Sequence, residues 1–318
     1  MSYLLIFFGV VLLYAGGELL VRNASHLART FGLSSLVIGL TVVAFGTSSP
    51  ELATTLLSTL EGSPEVAVGN IIGSNIANIG LILGLTALVY PLQSARDFIR
   101  RELPFMIGVG GLLFLVFWDG AATRYEGAGL LALLISYLGY QFQRGGGASQ
   151  DTDRNVPAAS ETAVETEAAT VPLWRAGLGV ALGIGILVAG AQALVSGAVT
   201  VAQSFGVPER VIGLTLVALG TSLPELASSL VAAIRREADI ILGNVVGSNI
   251  FNSLAILGVT ALVYPVRIEY ADVRLDLWVM LGLSIFVLPL MLGRYRLGRR
   301  GGAVLLTLYT AYMTFLFL

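Results

Sequence analysis

Apolar residues run along this chain in blocks broken by arginine, proline and acidic residues. Several blocks reach about 20 residues, the length at which a helix crosses the ~30 Å hydrocarbon layer of a bilayer. The pattern predicts ten helices, at roughly 2–22, 34–60, 64–90, 103–119, 124–142, 174–200, 208–232, 239–264, 275–293 and 302–318. The run from Ser2 to Val21 lacks the basic leader and small-residue cleavage site of a secretory signal, so it reads as a retained first span. One stretch breaks the pattern: Arg144 to Thr170 is rich in Gly, Ala, Ser and Thr and carries Asp151, Asp153, Glu161, Glu165 and Glu167. It cannot bury a core and is expected to be a disordered linker. The expected organisation is a five-helix unit at 1–142, an acidic linker at 143–172 and a second five-helix unit at 173–318.

The two units share a sequence. Ile38-Gly-Leu-Thr-Val-Val-Ala-Phe-Gly-Thr-Ser-Ser-Pro-Glu51 returns 174 residues later as Ile212-Gly-Leu-Thr-Leu-Val-Ala-Leu-Gly-Thr-Ser-Leu-Pro-Glu225. At the same shift, Gly69-Asn-Ile-Ile-Gly-Ser-Asn-Ile-Ala-Asn78 returns as Gly243-Asn-Val-Val-Gly-Ser-Asn-Ile-Phe-Asn252. Weaker matches, such as Phe31-Gly32 with Phe205-Gly206, carry the duplication into the first and sixth spans. Five spans is an odd number, so the second copy should cross the membrane in the opposite sense. Such inverted repeats are typical of secondary transporters, which bind their substrates near the midplane between the halves. The expected fold is therefore an all-α integral membrane protein of ten transmembrane helices, arranged as two inverted five-helix repeats.

Composition agrees with a lipid environment: 56% of residues are hydrophobic and 12% charged, against about half and about a quarter in soluble domains. All 18 basic residues are arginine. Fourteen of them fall in the loops on one side of the ten-span scheme and four (Arg124, Arg210, Arg267, Arg274) on the other. Basic residues stay cytoplasmic, so both termini are expected outside a plasma membrane and the linker inside. The absence of cysteine excludes disulfides, thiolate metal sites and cysteine nucleophiles. With no zinc-binding H-E-x-x-H either, an intramembrane hydrolase is not expected and the chain reads as a non-enzyme. No nucleic-acid partner is expected, and protein partners are left open.

Glu51 and Glu225 lie well inside predicted spans, with no basic residue nearby in sequence to pair with them. A buried carboxylate there costs at least a few kcal/mol unless it meets a partner or a cavity; one cation bound between the two is the simplest partner. Pro50 and Pro224 should break the helical hydrogen bonding, leaving backbone carbonyls near Gly46 and Gly220 free to coordinate. Thr47-Ser48 and Thr221-Ser222 stand beside the breaks. Asn70, Ser74 and Asn78 recur every fourth residue and form one polar stripe, repeated by Asn244, Ser248 and Asn252. Asn70 and Asn244 read as interhelical hydrogen-bonding groups, and Asn78 and Asn252 as site residues. Gly69, Gly73, Gly243 and Gly247 beside the stripes should let helices approach closely. Hard oxygens alone leave Ca2+, Mn2+ and Na+ open. Glu18 has Gln192 as its counterpart and falls outside the symmetric set; His26 is expected in a solvated loop. Tyr3, Trp118, Tyr125, Trp174, Trp278 and Tyr309 read as an interfacial aromatic belt.

The paired Gly-Thr-Ser-x-Pro-Glu and Gly-Asn-x-x-Gly-Ser-Asn motifs resemble the two alpha repeats of the calcium/cation antiporter superfamily, and most closely its prokaryotic sodium/calcium exchangers. The resemblance implies Na+/Ca2+ exchange by alternating access, with H+ as the alternative counter-ion. No cofactor is implied: Ca2+ and Na+ are bound as transported substrates. It also implies a diamond of cation sites in which Glu51 and Glu225 serve both ions and Thr47 and Thr221 contact Ca2+. Ser48, Ser222, Ser74, Ser248 and the carbonyls of Ala44 and Ala218 would bind Na+, with Asn78 and Asn252 at the centre. Many relatives carry an aspartate at one of those two central positions; this chain has asparagine at both.

Overall fold

The structure, a computed structural model, describes residues 2–145, 172–207, 218–292 and 295–316. The expected linker, apart from its first three residues and its last, therefore lies outside the described residues, as do the first ten residues of the seventh predicted span. Helix α1 (Ser2–Phe31) opens the chain. A helix broken at Ser48 follows, made of α2 (Ser35–Ile38), a π-helical stretch (Gly39–Val43), α3 (Ala44–Thr47) and α4 (Ser49–Leu60). Next come α5 (Pro64–Ala77), which passes through a π stretch (Asn78–Leu83) into α6 (Gly84–Val89), then β1 (Leu92–Gln93). A third π stretch (Phe98–Glu102) leads into α7 (Leu103–Val116), followed by β2 (Ala121–Ala122) and α8 (Arg124–Gly145). The second half runs α9 (Leu173–Ser204), a single turn α10 (Ala218–Gly220), α11 (Leu223–Ile234) and α12 (Ala238–Phe251). It ends with a π stretch (Asn252–Ile256), α13 (Leu257–Val263), β3 (Val266–Arg267), α14 (Tyr270–Leu292), β4 (Arg296–Leu297) and α15 (Arg299–Leu316).

Among the described residues five helices are individually long and apolar enough to cross a bilayer, and a sixth if Ser35–Thr47 and Ser49–Leu60, bent by 43°, count as one span. Their burial sorts them. In the most apolar window of Ala238–Val263 94% of residues are buried, and in that of Pro64–Val89 78%, against 33% for α1, α9 and α14. The two helices carrying the asparagine stripes are thus the centre of the molecule, and the other three show most of their surface outward.

Helix α1 runs nine residues past its predicted end at 22. Its polar residues there did not stop it, because Ala24, Leu27 and Ala28 are buried with Ile38, Val43, Ala176 and Val180 in one apolar cluster. His26, expected in a loop, is therefore helical. Both α1 and α9 end in the same device: Gly32 (φ 64°) and Gly206 (φ 73°) take the left-handed conformation that favours glycine. Leu33 N–H then bonds the Ala28 carbonyl at 2.9 Å and Val207 N–H the Ala202 carbonyl at 3.1 Å, closing Schellman turns. The repeated Phe-Gly is the sequence signature of that cap.

α1 and α9 pack antiparallel along a seam in which glycine meets leucine: Gly9 against Leu194, Leu13 against Gly190, Gly16 against Leu187, Leu20 against Gly183. Lipid offers little hydrophobic drive between helices, so close backbone approach through small residues supplies the attraction. Gly243 and Gly247 likewise admit the second span: a Cβ would lie 2.6 Å from the Leu36 carbonyl at the first and 2.7 Å from that of Leu40 at the second. A Cβ at Gly69 or Gly73 would meet nothing within 4 Å among the described residues. Two short ladders tie the halves together, β1 with β4 and β2 with β3, both antiparallel. Of the expected aromatic belt, Tyr3, Trp118, Tyr125, Trp174 and Trp278 are exposed, but Tyr309 is buried. The correction has a local cause: Gly80 has no side chain, and the Tyr309 ring fills the space its Cβ would take.

Candidate functional site

The break in the second span lies at Ser48 (φ −82°, ψ 5°), one residue after α3 ends. Pro50 sits in the first turn of α4, where its missing N–H is no loss. The second copy matches, with Ser222 (φ −87°, ψ 5°) before α11 and Pro224 in its first turn. Each glutamate consequently occupies the first turn of a half-helix, Glu51 in α4 and Glu225 in α11. Helix N-termini favour a carboxylate there. Both side chains are about 1% exposed.

The hydrogen bonds cross between the halves in matched pairs. Ser48 Oγ donates to Glu225 Oε1 at 2.9 Å and Ser222 Oγ to Glu51 Oε1 at 3.0 Å. Thr47 Oγ1 donates to Asn244 Oδ1 at 3.1 Å and Thr221 Oγ1 to Asn70 Oδ1 at 3.3 Å. Asn70 Nδ2 reaches the Glu51 carbonyl at 3.3 Å and Asn244 Nδ2 that of Glu225 at 3.4 Å, so each asparagine holds the backbone of its own half's glutamate. Ser74 Oγ donates to the Asn70 carbonyl and accepts from Asn252 Nδ2 at 3.1 Å. The Ala44 carbonyl accepts the Ser48 N–H at 3.0 Å.

After these bonds are made, five buried oxygens of the central layer have no partner: Glu51 Oε2, Glu225 Oε2, Asn78 Oδ1, Asn252 Oδ1 and Ser248 Oγ. Thr260 Oγ1 is the one other such atom among the described residues. Buried polar atoms are nearly always paired, so five unpartnered oxygens drawn from both halves mark this layer as the candidate site, and oxygen donors of this kind suit a hard cation.

Of the twelve expected site residues, Thr47, Ser48, Glu51, Ser74, Asn78, Ser222, Glu225, Ser248 and Asn252 are buried in this layer, as is Ala44. Thr221 is half-buried beside it, and Ala218 is described as the first residue of the turn α10. Asn78 and Asn252 each open a π-helical stretch, a distortion of the hydrogen-bond ladder that frequently marks a functional position. Sequence reasoning missed Asn75 and Asn249, which lie one residue off the fourfold stripe yet are buried and bonded to the central asparagines. Their signal was the exact 174-residue recurrence of an amide in an apolar segment. It also gave Glu18 no partner, whereas Glu18 forms an ion pair with Arg235, just past the end of α11.

The profile of the family described as sodium/calcium exchanger protein matches residues 1–143 and 176–318, nearly everything outside the linker. The chain belongs to that family. Sodium/calcium exchanger MaX1 of Methanosarcina acetivorans is 32% identical, with 99% of this chain and 98% of that protein covered. The inner membrane protein YrbG of Escherichia coli K12 is 38% identical over 95% of this chain and 92% of its own length. The sodium-calcium exchanger NCX_Mj, in a structure soaked with 10 mM Na+ and 10 mM Sr2+, superposes with a TM-score of 0.83 at 31% identity, covering 98% of this chain and 97% of that one. The chain is thus a multi-pass, mostly helical membrane protein with an NCX_Mj-like fold, and its activity is cation/Ca2+ antiport.

Proposed function

We propose that the chain exchanges Na+ for Ca2+, both ions using one site between the halves. The carrying observation is the set of five unpartnered buried oxygens, two of them carboxylate, contributed by both copies of the repeat. Glu51 and Glu225 supply about two negative charges, which one Ca2+ neutralises. Thr47, Thr221, Ser48, Ser222, Ser74, Ser248 and the carbonyls of Ala44 and Ala218, with Asn78 and Asn252, supply neutral oxygens to complete the coordination of Ca2+ or, in its absence, of Na+. Occupancy by the two ions is mutually exclusive because both need the same glutamates. That exclusion is what makes the cycle an exchange rather than a cotransport.

The same reading gives the architecture as ten spans in two inverted units, 1–142 and 173–318, joined by a cytoplasmic linker at 143–172, with both termini outside. The antiparallel seam of α1 and α9 and the reciprocal ladders β1–β4 and β2–β3 support it. A cysteine introduced at Ala159 of this cysteine-free chain should react with impermeant thiol reagents only from the cytoplasmic side.

The counter-ion is tested by uptake of radiolabelled Ca2+ into proteoliposomes loaded with Na+, Li+, K+ or a proton gradient. An outward Na+ gradient is expected to drive uptake at equal pH. Uptake driven by a pH gradient with no Na+ present would instead establish proton-coupled exchange.

A further inference from the structure

An asparagine in a cation site has to present its oxygen, since the amide nitrogen carries only hydrogens. At Asn78 and Asn252 the choice of end follows from a chain of neighbours. Asn78 Nδ2 donates to Asn249 Oδ1 at 3.0 Å. Asn249 in turn points its Nδ2 at Met106 Sδ, 3.5 Å away in α7. A thioether sulfur has lone pairs and no hydrogen, so it accepts and cannot donate. Asn249 can satisfy it only with its NH2 end, which turns Oδ1 toward Asn78. Asn78 must then turn its own NH2 toward Asn249, and its Oδ1 is left facing the centre without a partner.

The other half repeats the sequence of bonds. Asn252 Nδ2 donates to Asn75 Oδ1 at 3.1 Å, and Asn75 points its Nδ2 at Met280 Sδ, 3.5 Å away in α14. Met280 stands 174 residues after Met106, the same shift that relates the two motifs, although no motif includes either methionine. Two differences separate the halves: Asn75 Nδ2 also reaches Ser253 Oγ at 3.0 Å, where the equivalent position in the first half is Ile79, and Asn252 Nδ2 also donates to Ser74 Oγ at 3.1 Å, whereas the equivalent Ser248 Oγ has no partner. Both methionines are buried and would otherwise read as core. At position 106 a leucine would fill the same space and leave the amides free to reverse; at position 280 Asn252 would keep its bond to Ser74.

The geometry points to Met106 and Met280 as positioning residues that, through Asn249 and Asn75, fix the amide polarity of the cation site so that Asn78 and Asn252 offer carbonyl oxygen to the transported ion. The inference rests on the cation-site reading above. It explains how two asparagines serve where a carboxylate would need no orienting: a carboxylate presents oxygen either way it turns, and an amide does so only when its neighbours hold it.

Equilibrium binding of radiolabelled Ca2+ to the purified full-length chain tests the relay. Met106→Leu is expected to raise the half-saturating Ca2+ by about tenfold, the loss of one orienting hydrogen bond. Met280→Leu should have a smaller effect, because Ser74 Oγ, its own hydrogen spent on the Asn70 carbonyl, still accepts from Asn252 Nδ2 and holds that amide in place. Asn249→Asp placed on Met106→Leu should restore binding, since either carboxylate oxygen accepts from Asn78. A packing role would predict neither the asymmetry nor the rescue. Unchanged binding in Met106→Leu, or weakened binding that Asn249→Asp does not recover, overturns the relay. If Met106→Leu does not insert, Asn249→Leu against Asn249→Asp decides it: weak binding in the first only supports the relay, equal binding refutes it. Glu51→Gln is run beside these, and Ca2+ binding that survives in it would overturn the site itself rather than the relay.

Discussion

Glu51 and Glu225 each have one oxygen held by a serine of the opposite half and one left without a partner. Replacing either with glutamine keeps the shape and removes a charge from the pair proposed to balance one Ca2+. Glu51→Gln and Glu225→Gln are each expected to abolish Na+-driven Ca2+ uptake while leaving membrane insertion intact. Robust uptake by either would sink the two-carboxylate site. Asn70 and Asn78 separate by the same logic. Asn70 spends its amide on Thr55, the Glu51 carbonyl and the Thr221 hydroxyl, so it braces the site, whereas Asn78 leaves its oxygen free. Asn78→Ala should therefore weaken Ca2+ uptake more than Asn70→Ala, and equal or reversed severity would show that the unpaired oxygen is not a ligand.

Among the elements, the α1–α9 pair carries the clearest contrast of magnitudes. Its seam depends on glycine: a Cβ at Gly190 would lie 2.8 Å from the Leu13 nitrogen and 3.0 Å from the Gly9 carbonyl, atoms of backbone that cannot turn aside. Gly190→Val should force the helices apart, at a cost of about 1–3 kcal/mol or more. The Glu18–Arg235 ion pair between α1 and the end of α11 looks more conspicuous, but its side chains are 37% and 34% exposed. Partly solvated pairs contribute at most about 1 kcal/mol. Thermal unfolding of the purified protein should thus fall markedly for Gly190→Val and little for Glu18→Gln. The reverse order would mean that the pair is held together at its ends rather than along its seam.

At the scale of the whole molecule the decisive quantity is the charge moved per cycle. In the proposed cycle one Ca2+ would neutralise two ionised glutamates, and three Na+ on the return, as the family likeness implies, would move one positive charge per turnover. That charge is worth about 2.3 kcal/mol per 100 mV, so an inside-negative potential should favour Na+ entry and Ca2+ extrusion. Asparagine at both 78 and 252 sharpens the test, since a site without a central aspartate that held only two Na+ would run electroneutrally. Flux measured in proteoliposomes clamped with K+ and valinomycin is expected to reverse at a potential set by three-for-one exchange. Reversal that ignores voltage would rule out that stoichiometry and leave the glutamate pair standing.

The mostly helical, membrane-spanning character of the chain and the recurrence of its motifs were legible in the sequence because they depend on local quantities: the length of an apolar run, the position of a proline, the return of Gly-Thr-Ser-x-Pro-Glu at a fixed shift. The glutamates were legible for a related reason, since a carboxylate in an apolar run is expensive wherever the chain carries it. What the tertiary structure alone decided was which partners those groups meet. Glu51 is held by Ser222 and Glu225 by Ser48, Asn78 is turned by Asn249, and Tyr309 fills the space over Gly80. The continuation of α1 through its polar end came from burial against Ala176 and Val180, about 150 residues away in sequence. Each of these joins residues from different helices, and the direction of an amide or the end of a helix depends on which atoms face it across that distance. A single chain read in order contains the groups but not their juxtaposition.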